Sequence, residues 1–247
     1  AYVNRQVTSN AGFVDDTMIV LNTIHPQPKA YFLINKPSVC IGDDVSFTDS
    51  SNGMGGVINQ WNWSYGDGLS ATGSPVVTHT YGDTITYYAT LYIINNFGCN
   101  SDTTTHSFTV YPYPVVNAGP DRRVLEGGSI LIQAAASGND LQYLWTPNLY
   151  LNDNRIIVPT ASNLLDDITY TLSVTARGGC IARDMVFVKL LKAPVIPNTF
   201  TPNNDGINDV WKIDYLDTYP DNRVQVFTRT GQPLFESHGY TKPWDGT

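Results

Sequence analysis

The sequence predicts an all-β protein built from tandem β-sandwiches with a small β module after them. Three observations carry that expectation. Strand-like runs recur every 8–12 residues between turn clusters. No window holds a sustained helical period. The composition, with 15 Tyr, abundant Thr and Asn, and only 15% charged residues, favours pleated, half-buried surfaces over helices.

The 247 residues and 42% apolar content suffice for two or three cores. The chain also rhymes with itself. DDTMIVLNTIHPQPKAYF (15–32), SDTTTHSFTVYPYPVVNA (101–118) and ARDMVFVKLLKAPVIPNTF (182–200) each pass from an Asp-containing entry through an apolar strand to a proline-rich exit. A period of about 80 residues indicates tandem domains, because small-repeat solenoids use shorter units. Proline in each exit removes backbone donors and stiffens the link. Four pieces follow: a last strand of a truncated domain (1–28), full domains at 29–112 and 113–192, and a C-terminal module (193–247). In the first full domain the expected strands are 45–49, 58–65, 76–81, 86–94 and 105–111. In the second they are 130–136, 142–146, 169–176 and 185–191.

Composition also excludes. A formal charge of −8 without a Lys/Arg cluster would repel a nucleic-acid backbone. No apolar run approaches the ~20 residues of a membrane-spanning helix. AYVNRQVTSN lacks the features of a signal peptide, so the N-terminus reads as a cut within a longer or processed protein. Three cysteines, Cys40, Cys99 and Cys180, leave at least one thiol unpaired within the chain, and none has zinc-type spacing.

WNWSYGDG (61–68), preceded by VSFTDSS and followed by VVTHTYGDTITYYATLYIINNFGC, resembles a PKD domain over roughly residues 36–111. That resemblance implies an immunoglobulin-like sandwich used outside the cell as a spacer or adhesive module. Tyr65 stands where the family more often has Phe. Trp61, Trp63 and Tyr65 alternate along one strand and so share a face. That face is a sandwich core or, as the competing reading, a sugar-stacking platform. The frame of Cys40 before Gly42 and Cys99 after Gly98 recurs in domains of this type. It implies a Cys40–Cys99 disulfide, closing about 60 residues and contributing about 4 kcal/mol, with two separate buried thiols as the alternative.

VNAGPDRRVLEGGS, YLWTPNLYLND and ITYTLSVTARGGC in the second domain resemble PKD-like or Ig-like repeats of large Bacteroidetes surface proteins. Those repeats often carry a cysteine near Leu125. Its absence leaves Cys180 single, as a packed, inert thiol.

IPNTFTPNNDGINDVWKI, then YPDNRVQVFTRTGQPLFESHGYTKPWDGT, resembles the gliding-motility-associated C-terminal domain across 196–247. This is the type B sorting module of the type IX secretion system. The resemblance implies export of a folded passenger through the outer membrane, to the cell surface or beyond. The implied partners are the type IX translocon and a PorP-type outer-membrane β-barrel, with an external surface or polysaccharide met by the repeats. Since the family runs on after WDG with further strands, the module is expected to be incomplete.

For TPNNDGIND three chemistries compete. Asn203, Asp205 and Asp209 are candidate hard-oxygen ligands for calcium, although a bidentate Glu at the usual offset is missing. Paired carboxylates, Asp205/Asp209 or Asp214/Asp217, could act as acid and base. However, His25, His79, His106 and His238 are scattered one per segment. The favoured reading is an ordered recognition loop without catalysis. Pro202 and Gly206 set its turns, Asn203, Asn204 and Asn208 bond its backbone, and Phe200 and Trp211 anchor it. Asp205, Asp209, Trp244 and Asp245 complete the candidate recognition set. The expected role is therefore that of a surface adhesin, with the accessory tail of a secreted hydrolase as the alternative.

Overall fold

The computed structural model describes residues 25–247 in full and the backbone of two earlier strands. These strands, β1 (Tyr2–Thr8) and β2 (Val14–Val20), pair antiparallel from Tyr2↔Val20 to Thr8↔Val14. Among the described residues before 28 there are two strands, where the sequence suggested one. The chain divides into two units, residues 1–112 and 113–247, and the residues from 193 onward belong to the second. Among the described residues no helix is long and apolar enough to cross a membrane.

In the first unit β3 (Phe32–Ile34), β5 (Asp44–Asp49) and β8 (Val76–Thr80) form one sheet. The other contains β4 (Ser38–Cys40), β6 (Ile58–Ser64), β7 (Ser70–Thr72), β9 (Thr86–Asn95) and β10 (Thr104–Tyr111), in the order β4-β10-β9-β6-β7. All pairs are antiparallel except β4 with β10, which run parallel at Ser38↔Thr109, Val39↔Val110 and Cys40↔Tyr111. The five expected strands are present. β3, β4 and β7 were not anticipated, because three residues are too few to show a period.

Alternation builds the core. β9 turns Tyr87, Ala89, Leu91 and Ile93 inward, where they join Val45 and Phe47 of the opposite sheet. Trp63 is buried, with Phe32 and Phe47 ring centroids at 5.3 and 6.2 Å, and its Nε1 donates to the Ser74 carbonyl (2.9 Å). Trp61 is half-buried against the same cluster. The two indoles thus pack into the core and do not form an exposed platform.

The rest of the WNWSYGDG signature is a lock. Gly66 has φ +84°, and a Cβ there would sit 2.6 Å from the Tyr88 carbonyl oxygen, so only glycine fits. Asp67 accepts the Leu69 amide (2.9 Å) and pairs with His79 Nε2 (2.6 Å). The His79 ring stacks on Tyr65 at 4.0 Å, and the Tyr81 hydroxyl donates to the Tyr65 carbonyl (2.9 Å). Burial raises the Asp67 carboxyl, but hydrogen bonds from His79 and Leu69 and the His79 charge outweigh it and hold the group below its ordinary value. The signature and the downstream HTY are therefore two halves of one contact.

The Cys40–Cys99 bridge is not formed. Cys99 is a free, half-buried thiol, whereas Cys40 and Cys180 are disulfide-bonded. The registers give the reason. Cys40 lies beside Tyr111 at the end of β10, and Cys99 lies before the strand begins, beyond its opposite end. Eight residues of strand span roughly 25 Å, against the ~7 Å limit for bridgeable Cα atoms. Asn95 instead orders the turn at Cys99: its Oδ1 accepts the Phe97 and Cys99 amides (3.1 and 3.0 Å). Cys180 is fully buried as expected but is not single. Alkylation of unreduced, denatured protein is expected to label Cys99 alone, read by peptide mass.

In the second unit β11 (Val115–Asn117), β12 (Arg122–Leu125), β13 (Ser129–Leu131), β14 (Ala135–Ser137), β15 (Gln142–Thr146), β16 (Thr160–Ser162), β17 (Ile168–Thr175) and β18 (Ile181–Leu191) surround a separate core. A four-stranded sheet runs β12-β18-β17-β15, alongside the pairs β11-β14 and β13-β16. β12 is parallel to β18 from Arg122↔Val188 to Leu125↔Leu191. The run at 130–136, expected as one strand, is two strands with different partners. Between them the Ile132 amide turns to the Pro159 carbonyl, and Gln133 passes against Gly119, whose Cβ would lie 2.5 Å from the Gln133 oxygen.

This sandwich repeats the polar anchors of the first. Trp145 is buried and donates Nε1 to the Ile156 carbonyl (3.0 Å), eleven residues on, as Trp63 does to Ser74. Tyr170 donates to the Leu149 carbonyl (2.8 Å), and burial pushes its phenol up to about 12.

Candidate functional site: the C-terminal loop and its aromatic clasp

The second unit ends in β19 (Arg223–Phe227) and β20 (Pro233–His238), a two-stranded sheet with a register shift at Val226/Phe227. Val224 and Tyr240 are its buried residues, so its core is thin. Val195 and Asp214 form an isolated bridge. Against the preceding sandwich the module places Asp221 3.2 Å from Arg123 and Tyr215 under the Lys192 ammonium (5.5 Å). Both partners of the ion pair are mostly exposed, so its contribution is small.

The loop at 201–209 is held from within. The Asp209 carboxylate reaches back over it. Oδ1 accepts the amides of Asn203 (3.1 Å) and Asn204 (2.6 Å), and Oδ2 accepts that of Gly206 (2.7 Å). Asn203 Oδ1 accepts the Asp205 amide (3.2 Å), and Asp205 Oδ1 accepts the Ile207 amide (2.8 Å), two successive side-chain turns. The Thr201 amide closes the base on the Asn208 carbonyl (2.8 Å). Asn204, Gly206 and Asn208 all have positive φ, at 64°, 85° and 57°, the conformation Asn and Gly adopt most readily. The density of Asn, Asp and Gly is therefore the chemistry of the loop's own backbone.

The residues named as calcium candidates make hydrogen bonds within the loop. Asp209 is filled by N–H donors, and Asn203 turns its Nδ2 toward Asp205 Oδ2 (2.9 Å). No cluster of three or more His, Cys, Asp or Glu able to hold a metal occurs among the described residues. Of the carboxylates considered for acid–base work, Asp214 pairs with Lys212 at 3.0 Å.

The Gly206 amide, followed by those of Asn204, Asn203 and Asp205, holds the Asp209 carboxyl below its usual range. The Asn203 side chain does the same for Asp205. A folded-state value below the unfolded one means that the stabilisation is complete above the unfolded value of about 3.9 and is lost as pH falls through the folded value. Amides of Asn203, Asn204 and Gly206 are accordingly expected to shift together in NMR below about pH 4, before the sandwich amides do. Asp209→Asn should broaden them at neutral pH.

A clasp of aromatic side chains secures the loop's ends. Trp211 and Trp244 form an antiparallel bridge, with the Trp211 amide on the Trp244 carbonyl (2.7 Å). Trp211 Nε1 donates to the Pro197 carbonyl (2.8 Å). The Trp244 ring packs between Phe200 (5.4 Å) and Phe235 (6.3 Å). A Cβ at Gly246 would lie 3.1 Å from Pro202, so TPNN and WDG touch. Asp245 accepts the Thr247 hydroxyl (2.7 Å) and amide (3.2 Å), closing a local turn.

Phe200, Pro202, Trp211 and Trp244 are thus brought together, while Asn203–Asp209 form the loop they carry. The sequence reading missed Tyr240. Its hydroxyl donates to the Trp211 carbonyl and accepts the Trp244 amide (3.1 Å), tying both strands of the bridge. Its signal was present, three residues before PWDG, but a lone Tyr among 15 carries no mark of its partners. Phe235, the other missed contact, sits in β20 as an ordinary apolar strand residue.

Residues 25–110 match the PKD domain family, and residues 195–247 match the CHU_C Type IX secretion signal domain. No curated protein matches the sequence. Solved structures similar to parts of the chain include the PKD1 domain of Vibrio anguillarum Epp (22% identity, 35% of this chain and 96% of that one, TM-score 0.31). The PKD1 domain from the Vibrio cholerae metalloprotease PrtV matches at 25% identity (34% and 98%, TM-score 0.31). Fibronectin(III)-like modules of Clostridium thermocellum CbhA match at 13% identity (66% and 95%, TM-score 0.39). The chain therefore carries a PKD domain and, following a second β-sandwich, a CHU_C type IX secretion signal domain.

Proposed function

We propose that the chain is part of a secreted adhesin-like protein of the cell surface. In this reading the sandwiches are spacer and adhesive modules, and the module at 193–247 directs type IX secretion. Its loop is read by the outer-membrane translocon and by a PorP-type β-barrel that retains the protein at the surface. No catalytic step is part of the role.

The observation that supports this reading is the internally tied loop within the segment that matches a secretion signal domain. A receptor that must recognise many passengers needs one shape presented alike each time, and preorganisation lowers the ordering cost of binding. In a bacterium with a type IX system, the intact protein should be reached by protease added outside the cell. Removal of residues 195–247 should hold it in the periplasm. A truncated protein that still reached the surface at the same level would overturn the proposal.

A further inference from the structure

The five-stranded sheet of the first unit has a second face, turned away from the core. β9 places Tyr88 and Tyr92 on it, 61% and 40% exposed. They are four residues apart on one strand, about 13 Å. Neither phenol has a hydrogen-bond partner among the described residues. The register sets Ser107 of β10 beside Tyr88, Asn62 of β6 beside Tyr92, and Ser64 of β6 beside Thr90 between them. None of the outward positions on β6, β7, β9 and β10 is charged, on a chain whose net charge is −8.

This composition is selective. An anionic polymer finds no cation here. A protein partner would want an apolar centre, and two separated phenols among hydroxyls do not make one. An uncharged polysaccharide matches both features. The apolar C–H face of a sugar ring lies on an aromatic face, while its hydroxyls exchange hydrogen bonds with Ser, Thr, Asn and phenol groups that donate and accept equally. Two exposed rings about 13 Å apart along one strand suit an extended chain better than a single sugar, which needs a concave pocket.

We infer that the outer face of this sheet, centred on Tyr88 and Tyr92, is a binding surface for uncharged, extended polysaccharide. The inference rests on the adhesin reading and gives it a ligand class and a site. It does not involve Trp61 or Trp63, which the core holds.

The test is affinity electrophoresis of the 247-residue chain in gels containing hydroxyethylcellulose, with alginate gels as the charged comparison and chitin sedimentation as a second probe. The wild-type protein is expected to be retarded by hydroxyethylcellulose and pelleted by chitin, but to run freely in alginate. The double variant Tyr88→Ala/Tyr92→Ala should bind at least about tenfold more weakly, and Thr90→Glu, which puts a charge between the rings, should do the same. All three positions point away from the core, so unchanged thermal unfolding verifies the fold of each variant. A wild-type protein that ignores both uncharged glycans, variants that bind like wild type, or equal retardation in alginate would each overturn the inference. So would a concentration-dependent dimer abolished by the double variant without glycan binding, which would make the face a self-contact. Export to the surface is a separate readout: a protein that is exported but binds no glycan fails only here.

Discussion

Trp145→Ala is expected to destabilise the second unit by about 3–5 kcal/mol, the range for deleting a buried aromatic side chain. The indole is 1% exposed among Tyr170, Leu172 and Val188, and no neighbour can close the space without moving the sheet. Its removal also leaves the Ile156 carbonyl without the Nε1 donor. Trp145→Phe separates these effects: most of the volume is kept, so the loss should fall to about 1–3 kcal/mol, the cost of the unsatisfied carbonyl. Denaturant unfolding followed by near-UV circular dichroism reads both. An alanine variant within 1 kcal/mol of wild type would show that the indole does not organise this core.

Trp244→Ala is expected to abolish most export while leaving both sandwiches folded. The side chain spans Phe200 and Phe235, and its main chain bridges Trp211, so truncation frees the loop from the strand that carries it. Anchors of this type cost about 2 kcal/mol or more in recognition, which corresponds to a drop of at least about thirtyfold in a binding-limited step. Surface protease accessibility measures the drop. Tyr240→Phe, which removes only the hydroxyl shared by the Trp211 carbonyl and the Trp244 amide, should give a smaller loss of the same kind. Normal export of Trp244→Ala would place recognition elsewhere in the module.

The all-β architecture and the longer strands were legible because alternation over five or more residues has only one good structural solution. Three-residue strands such as β3 and β4 carry no such signal, and the split at 130–136 depends on Gly119, a distant residue. The cysteine pairing failed for a related reason. Spacing along the chain places Cys40 and Cys99 in one domain, but only register shows that β10 separates them. In the C-terminal segment, the turn-forming role of Asn203, Asp205 and Gly206 could be read from residue type. Asp209 as the acceptor for three amides could not, since the same residues in the same order also suggest calcium.

One pairing has a mechanical consequence. In each sandwich an early strand lies parallel to the last one: β4 beside β10, and β12 beside β18. Tension applied through the two ends of such a domain pulls these neighbours past each other along their length. The ladder hydrogen bonds are then loaded in shear and must yield together, whereas a hairpin pulled open at its ends loses them one at a time. Val39, Val110, Val124, Val188 and Leu190, buried under these short ladders, have to slide out of the core in the same event. A domain wired in this way yields to end-to-end tension in one concerted step rather than strand by strand.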